Sequence, residues 1–390
     1  MVKREIKENI YELPAIDWDR RLFDSLIPLP DGTSYNAYLI KGSEGIALLD
    51  TVDPRMTYQL MEQLNDITRI DYIVIHHVEQ DHSGSLPFVL EKYKEAKVII
   101  SSRGKDMLID HLNIQEERII TVKDGDTISL GDKTLKFIYT PWVHWPETMS
   151  TYLLEDKILF TCDFFGSHLA TNSLYATDKD RVYESAKRYY AEIMMPFRTT
   201  IKNNIEKIGA YEISIIAPSH GPIYNEPSFI INAYKDWISD NPKNVVVIPY
   251  ISMHDSTKHM VDYLVDSLTK RDVGLERFDL SSVDLGKLAM SLVDAGTIII
   301  GTPTVLAGPH PSVVYAAYLC NVLRPKLKYA SIIGSYGWGG KTVEYIQNIL
   351  TNLKVEILEP VLVKGLPREE DLRAIDRLAD IIAEKHRQFV

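Results

Sequence analysis

The sequence predicts two consecutive α/β domains: a β-rich two-sheet sandwich with helices outside over residues 1–242, then a doubly wound parallel sheet over 243–390. Three observations carry this. The chain is 390 residues long, enough for two cores. Its first part is punctuated by turn pairs (Asp31-Gly32, Lys41-Gly42, Asp124-Gly125, Leu130-Gly131) between short β-type runs. After the polar stretch Ser239–Asn244, which contains Pro242, a repeating apolar strand, loop and helix begins at Val245.

In the first domain the strands are expected at Ser34–Ile40, Ile46–Asp50, Asp71–His77, Val98–Ser101 and Thr134–Tyr139, with helices at Thr57–Leu64, Leu86–Tyr93 and Asp178–Ile193. Three further apolar runs, Ile138–Trp142, Lys157–Cys162 and Ile213–Ile216, each end at a polar residue. In the second, strands Val245–Ile248, Thr297–Ile300, Ala330–Ile333 and Val355–Leu358 alternate with helices Thr257–Leu268, Ser312–Leu323 and Lys341–Leu350. Such alternation is that of a parallel sheet covered on both faces.

Composition narrows the function. The net charge of −11 argues against a nucleic-acid or acidic-membrane partner, because both reward a basic face. No apolar run suits a membrane span and the opening MVKREIKENI has no signal-peptide core, so a cytoplasmic protein is expected. Two cysteines, Cys162 and Cys320, are too few for a Cys-rich zinc ribbon, a one-chain iron–sulfur cluster or a fused rubredoxin module. Both read as buried thiols, and any metal here sits on nitrogen and oxygen.

The densest cluster of such donors follows Asp71–His77: His77, Glu79, Asp81 and His82 fall within six residues. A loop bending after a strand can point alternate side chains into one cavity. His144, Asp163 and His220 also end apolar runs, so one rim of the sandwich can collect all seven. His76 alternates away from His77 and reads as structural. His168, five residues past Asp163, is a candidate hydrogen-bond donor to the cavity, and Tyr35 and Tyr38 read as core.

This pattern resembles the metallo-β-lactamase-like fold, whose usual zinc motif is H-x-H-x-D-H. Glu79 replaces the second histidine, and a hard carboxylate there shifts preference from zinc toward iron or manganese. H-x-E-x-D-H with the same later residues is similar to the flavodiiron, or A-type flavoprotein, family. The resemblance implies one iron on His77, Glu79 and His144, a second on Asp81, His82 and His220, and Asp163 as the bridge. In that family the histidine at the His82 position is sometimes unligated.

The second domain agrees. Ser252-Met253-His254-Asp255-Ser256-Thr257 lies between a strand and a helix, where backbone N–H groups, hydroxyls and the helix dipole hold a phosphate. Gly301–Gly308 and Gly334–Gly340 follow two further strands. Three such loops resemble flavodoxin, with the FMN phosphate on Ser252, His254, Ser256 and Thr257. The ring then lies among Pro303, Thr304, Ala307, Gly308, Ser335, Tyr336, Gly337, Trp338 and Gly339. The family's first loop commonly reads S-x-Y-G-x-T, and His254 and Asp255 stand at its Tyr and Gly positions.

The resemblance therefore implies a metallo-β-lactamase-like αββα sandwich followed by a flavodoxin-like doubly wound sheet. It further implies an oxidoreductase carrying FMN and two irons that reduces dioxygen to water, with nitric oxide as the alternative substrate. The expected donor is external, reduced coenzyme F420 ahead of rubredoxin, since the compact two-domain chain resembles that branch. The expected assembly is a homodimer or homotetramer built on head-to-tail dimers. Two other classes are a binuclear metallo-hydrolase, against which Glu79 stands, and an electron-transfer flavoprotein with an inert first domain, against which the seven donors stand.

Overall fold

A computed structural model describes residues 2–389. The chain divides into two units, Met1–Tyr190 with Phe197–Ile238, and Ser239–Val390 with Ala191–Pro196.

In the first unit a seven-stranded sheet runs in the order Arg4–Lys7, Ile10–Asp17, Thr33–Lys41, Ile46–Leu49, Tyr72–Val74, Lys97–Ser101, Ile119–Val122. Side chains alternate along it. Leu39, Leu48, Ile73, Val98 and Ile100 pack with Leu60, Val89 and Leu108 from the helices Thr57–Gln63, Leu86–Lys92 and Gly104–Leu112. Tyr38, Ile40, Leu49, Val74 and Ile99 face the opposite way, onto Leu135, Phe137, Met149 and Phe160 of a five-stranded sheet. That second sheet runs Thr127–Ser129, Thr134–Tyr139, Met149–Leu153, Ile158–Cys162, Ile215–Pro218. With the helices Lys179–Tyr189, Arg198–Ile208 and Pro227–Trp237, each burying an apolar side, this is the expected αββα sandwich.

Strand direction places the site. Met149–Leu153 is antiparallel to both neighbours, while Ile158–Cys162 and Ile215–Pro218 are parallel. Thr134–Tyr139, Ile158–Cys162 and Ile215–Pro218 therefore point the same way, and the loops after them share one rim.

In the second unit the parallel strands are ordered Gly274–Asp279, Val245–Tyr250, Thr297–Val305, Tyr329–Tyr336, with Glu356–Ile357 and Val361–Lys364 both beside the last. In chain order this is 2-1-3-4-5, the order of a flavodoxin-like doubly wound sheet. Helices Ser256–Thr269 and Glu369–His386 bury Leu264, Leu268, Leu378 and Ile382 together against it.

Several boundaries differ from the sequence reading. The strand expected over Asp71–His77 spans only Tyr72–Val74, because the Asp50 carboxylate takes the His76 N–H at 2.8 Å and the ring Nδ1 at 2.6 Å in place of a ladder partner. The helix expected to Ile193 ends at Tyr189 and continues as a π turn, Tyr190–Met194. Thr297–Ile300 and Ala330–Ile333 extend to Val305 and Tyr336, so Pro303, Thr304, Ser335 and Tyr336 lie on strands, not loops. The physical reason is Gly334, where a Cβ would meet the Thr302 carbonyl oxygen at 2.0 Å; its glycine lets the two strands stay paired.

A buried ion pair in the first sheet has a pH consequence. Arg4 Nε donates to Glu12 Oε2 at 2.7 Å, while Oε1 has no partner. Burial, only partly opposed by Arg4, pushes the Glu12 carboxyl from 4.5 up to about 7. The native state then binds this proton more tightly than the unfolded chain, so stability falls as pH rises from 4.5 to about 7. The expected loss is on the order of 3 kcal/mol across that window. Denaturant titrations of Glu12→Gln should show this part of the slope removed; an unchanged slope would show that Glu12 does not carry it.

Candidate metal and flavin sites

The structure brings all seven sequence-predicted donors together in two abutting groups: His77, Glu79, His144 and Asp163, and Asp81, His82 and His220. In the first, Glu79 Oε2 lies 2.8 Å from His144 Nε2 and 3.1 Å from His77 Nε2. In the second, Asp81 Oδ2 lies 3.3 Å from His82 Nε2 and 3.2 Å from His220 Nε2. Asp163 stands between them and divides its oxygens. Oδ2 is 3.6 Å from His77 Nε2 and 3.5 Å from His144 Nε2, and Oδ1 is 2.9 Å from His82 Nε2 and 3.2 Å from His220 Nε2.

Local structure explains this aim. Glu79 immediately precedes the short helix Gln80–Ser83, which turns Asp81 and His82 inward, and Thr51 N–H and Oγ1 both fix the His82 carbonyl at 2.7 Å. His220 donates from Nδ1 to the Ser34 carbonyl at 2.7 Å, which leaves Nε2 for the cavity. His76 is elsewhere, as its alternation predicts, held between Asp50 and the Thr151 hydroxyl at 2.7 Å.

The donor set fits metal ions. Asp81 Oδ1, Asp163 Oδ2 and His82 Nδ1 are buried without hydrogen-bond partners, a costly state unless something else satisfies them. Electrostatics agree. Burial works against charge on His220, yet hydrogen bonds to Asp163 and Asp81 raise it to about 10. Burial likewise opposes ionisation of Asp163 and Glu79, yet neighbouring histidines hold both carboxyls below their ordinary range. The pocket thus calls for positive charge, which protons supply in the bare polypeptide.

Three contributors were missed in the sequence. Glu147 accepts from His77 Nδ1 at 2.6 Å, and the Tyr189 hydroxyl donates to Asp163 Oδ1 at 2.8 Å. Asp24, in the hairpin Leu22–Phe23/Ile27–Pro28, has its carboxyl raised to about 6 by burial and by Glu79 and Asp81. Only Glu147 had a local signal, three residues after His144. His168, which was anticipated, lies 4.9 Å from the His220 ring; Thr33 Oγ1 holds its Nδ1 at 2.9 Å and its buried Nε2 has no partner.

In the second unit, the first and third strands in chain order lie side by side, so the order reverses there and a crevice opens at their carboxyl ends. Thr257 is buried at the start of the helix Ser256–Thr269, its hydroxyl 3.2 Å from that of Ser335. The Ser252 hydroxyl accepts from the Lys258 N–H at 3.2 Å. Asp255 has φ +62°, a left-handed conformation that glycine adopts freely, which fits its place at the family's Gly position. Leu306 and Ala307 form the exposed turn that follows Thr304, and Lys341 N–H bonds the Ala307 carbonyl at 3.0 Å. A Cβ on Gly337 or Gly339 would meet nothing within 4 Å, and Trp338 between them is 71% exposed. An open crevice with hydroxyls at a helix N-terminus fits a flavin monophosphate.

Fold and sites together define an α/β oxidoreductase that pairs a two-ion N/O centre with a flavodoxin-type module. Known proteins make the assignment specific. A family described as "ODP family beta lactamase" matches residues 33–221. A nitric oxide reductase of Moorella thermoacetica is 35% identical, covering 97% of this chain and 97% of that protein. A coenzyme F420H2 oxidase of Methanothermobacter marburgensis is 31% identical, covering 95% of each. The solved rubredoxin oxygen:oxidoreductase of Desulfovibrio gigas superposes with a TM-score of 0.95 at 29% identity, over 99% of this chain and 98% of that one. The chain belongs to the flavodiiron, or type A flavoprotein, family, whose members carry FMN and a non-haem diiron centre. Among the described residues no helix is long and apolar enough to cross a membrane.

Proposed function

We propose that this chain reduces dioxygen to water at two irons held in residues 1–242, with FMN held in residues 243–390. The observation that carries this is the division of Asp163 between two histidine groups, since a carboxylate with one oxygen toward each is placed to bridge two ions. His77, Glu79 and His144 would hold one iron and Asp81, His82 and His220 the other. Two ferrous ions and a two-electron-reduced flavin together store the four electrons that O2 and four protons consume in forming two waters.

The chain's own groups do the rest. Tyr189 orients Asp163, the Ser34 carbonyl fixes the His220 tautomer, and near-complete burial of Asp81, His82 and Asp163 keeps bulk water out. His168 Nε2 is left to hydrogen-bond a molecule in the cavity. Ser252, Ser256 and Thr257 would hold the phosphate, with His254 beside them. Pro303, Thr304, Ala307, Gly308 and Ser335 to Gly339 would surround the ring, with Trp338 over it.

Reduced coenzyme F420 is the favoured donor, supported by the oxidase that matches 95% of this chain, and rubredoxin is the other. Nitric oxide reduction on the same site is the second reading, favoured by the 35% identical reductase. Anaerobic turnover with each donor, followed by oxygen or nitric oxide, separates these.

Three outcomes are expected. Purified protein should carry about two irons per chain, as its two donor groups require, and Asp163→Ala should lower iron content and oxygen consumption more than His82→Ala. Full activity in a zinc-only preparation would contradict this and favour a different chemistry. Extracted flavin should be FMN, and Thr257→Val should weaken its retention by about 1.5–3 kcal/mol, measured by equilibrium release; FAD in the extract would be incompatible with the single phosphate cradle. The working unit is a head-to-tail homodimer in which the flavin of one chain serves the irons of the other. Exchanging subunits between His77→Ala and Ser252→Ala/Thr257→Val preparations should restore turnover, whereas transfer within one chain would restore none.

A further inference from the structure

Glu147 is buried beside the proposed centre and belongs to neither donor group. Its Oε1 accepts two hydrogen bonds, from His77 Nδ1 at 2.6 Å and from the Val78 N–H at 3.1 Å. Its backbone carbonyl takes the Ser101 hydroxyl at 2.7 Å, and that hydroxyl in turn accepts the Gly104 N–H at 3.2 Å. A Cβ on Gly104 would meet Ile100 Cδ1 at 2.7 Å and approach Glu147 Cγ to 3.3 Å, so the glycine leaves room for both side chains. The residue is therefore a built part of the fold, its backbone held by the end of the strand Lys97–Ser101 and the start of the helix Gly104–Leu112, and its carboxylate by His77 and Val78.

The other histidines are supported differently. His220 gives its Nδ1 proton to a neutral carbonyl, that of Ser34, and His82 Nδ1 has no partner. Among the described residues no other of the four ligand histidines hands its second nitrogen to a carboxylate. We infer that Glu147 is a positioning residue that makes the two halves of the centre electronically unequal. It locks His77 with Nε2 toward Glu79 and Asp163, and its buried charge draws on the Nδ1 proton and enriches Nε2 in electron density. An electron-rich donor favours the more oxidised ion, so Glu147 makes the ion beside His77, Glu79 and His144 the last to be reduced and the first to be oxidised.

This rests on the two-iron reading above, and the test separates the two. Glu147→Gln keeps an amide oxygen for both N–H donors and removes only the charge; Glu147→Ala removes both. Holoenzyme of each is titrated reductively while the irons are followed by electron paramagnetic resonance and Mössbauer spectroscopy. Iron affinity is measured by chelator competition, and folding by circular dichroism. Wild type should reduce in two separated steps. Glu147→Gln should keep both irons while its second step moves to higher potential and the gap narrows, and Glu147→Ala should hold one of the two irons about 10–100-fold more weakly. If Glu147→Gln retains wild-type steps, or both steps move equally, the inference is overturned while the two-iron reading stands. If wild type itself retains no iron, both fall.

Discussion

Everything around the first site follows from one electrostatic constraint: Glu79, Asp81, Asp163 and Glu147 are confined together in a cavity from which water is nearly excluded. Burying even one unpaired carboxylate costs several kcal/mol, so four cannot remain near one another without cations. In the bare chain protons on His77, His82 and His220 serve, and all three are raised above their ordinary value despite burial. Two divalent ions would balance four carboxylates and release the histidines to act as neutral donors. The unpartnered Asp81 Oδ1 and Asp163 Oδ2 are where such ions would be satisfied.

Both halves of the molecule use strand ends in this way. In the sandwich, parallel direction brings the ends of Thr134–Tyr139, Ile158–Cys162 and Ile215–Pro218 to one rim, so His144, Asp163 and His220, up to 76 positions apart in sequence, can share a cavity. In the doubly wound sheet, the reversal of order beside Val245–Tyr250 opens the crevice where the Thr257 and Ser335 hydroxyls meet. Rigid strands set the positions, and short loops supply the chemistry.

The readable part of the sequence was what local pattern encodes. His77, Glu79, Asp81 and His82 sit at alternating or helical spacing after one strand, and His144, Asp163 and His220 each end an apolar run, so their type and context already point to a shared rim. Tyr189 left no such trace, because it reaches Asp163 from a helix 26 residues away. Asp24 is found only once a hairpin folds over Glu79. Strand ends were misjudged where glycine and proline read as loop punctuation. At Gly301 and Gly334 the missing side chain instead allows close approach, with a Cβ meeting Tyr250 Cβ at 2.6 Å and the Thr302 carbonyl oxygen at 2.0 Å. Pro303 is tolerated in the strand because, past Tyr250, its amide side lacks a partner strand in register.

The central claim is that seven side chains from four loops hold two irons bridged by Asp163. Anomalous diffraction collected on either side of the iron absorption edge tests it most directly, because it locates the element and its ligands in one measurement. The account predicts two iron peaks, one enclosed by His77, Glu79 and His144 and the other by Asp81, His82 and His220, with one oxygen of Asp163 on each. A single peak, or peaks that persist only at the zinc edge, would contradict it.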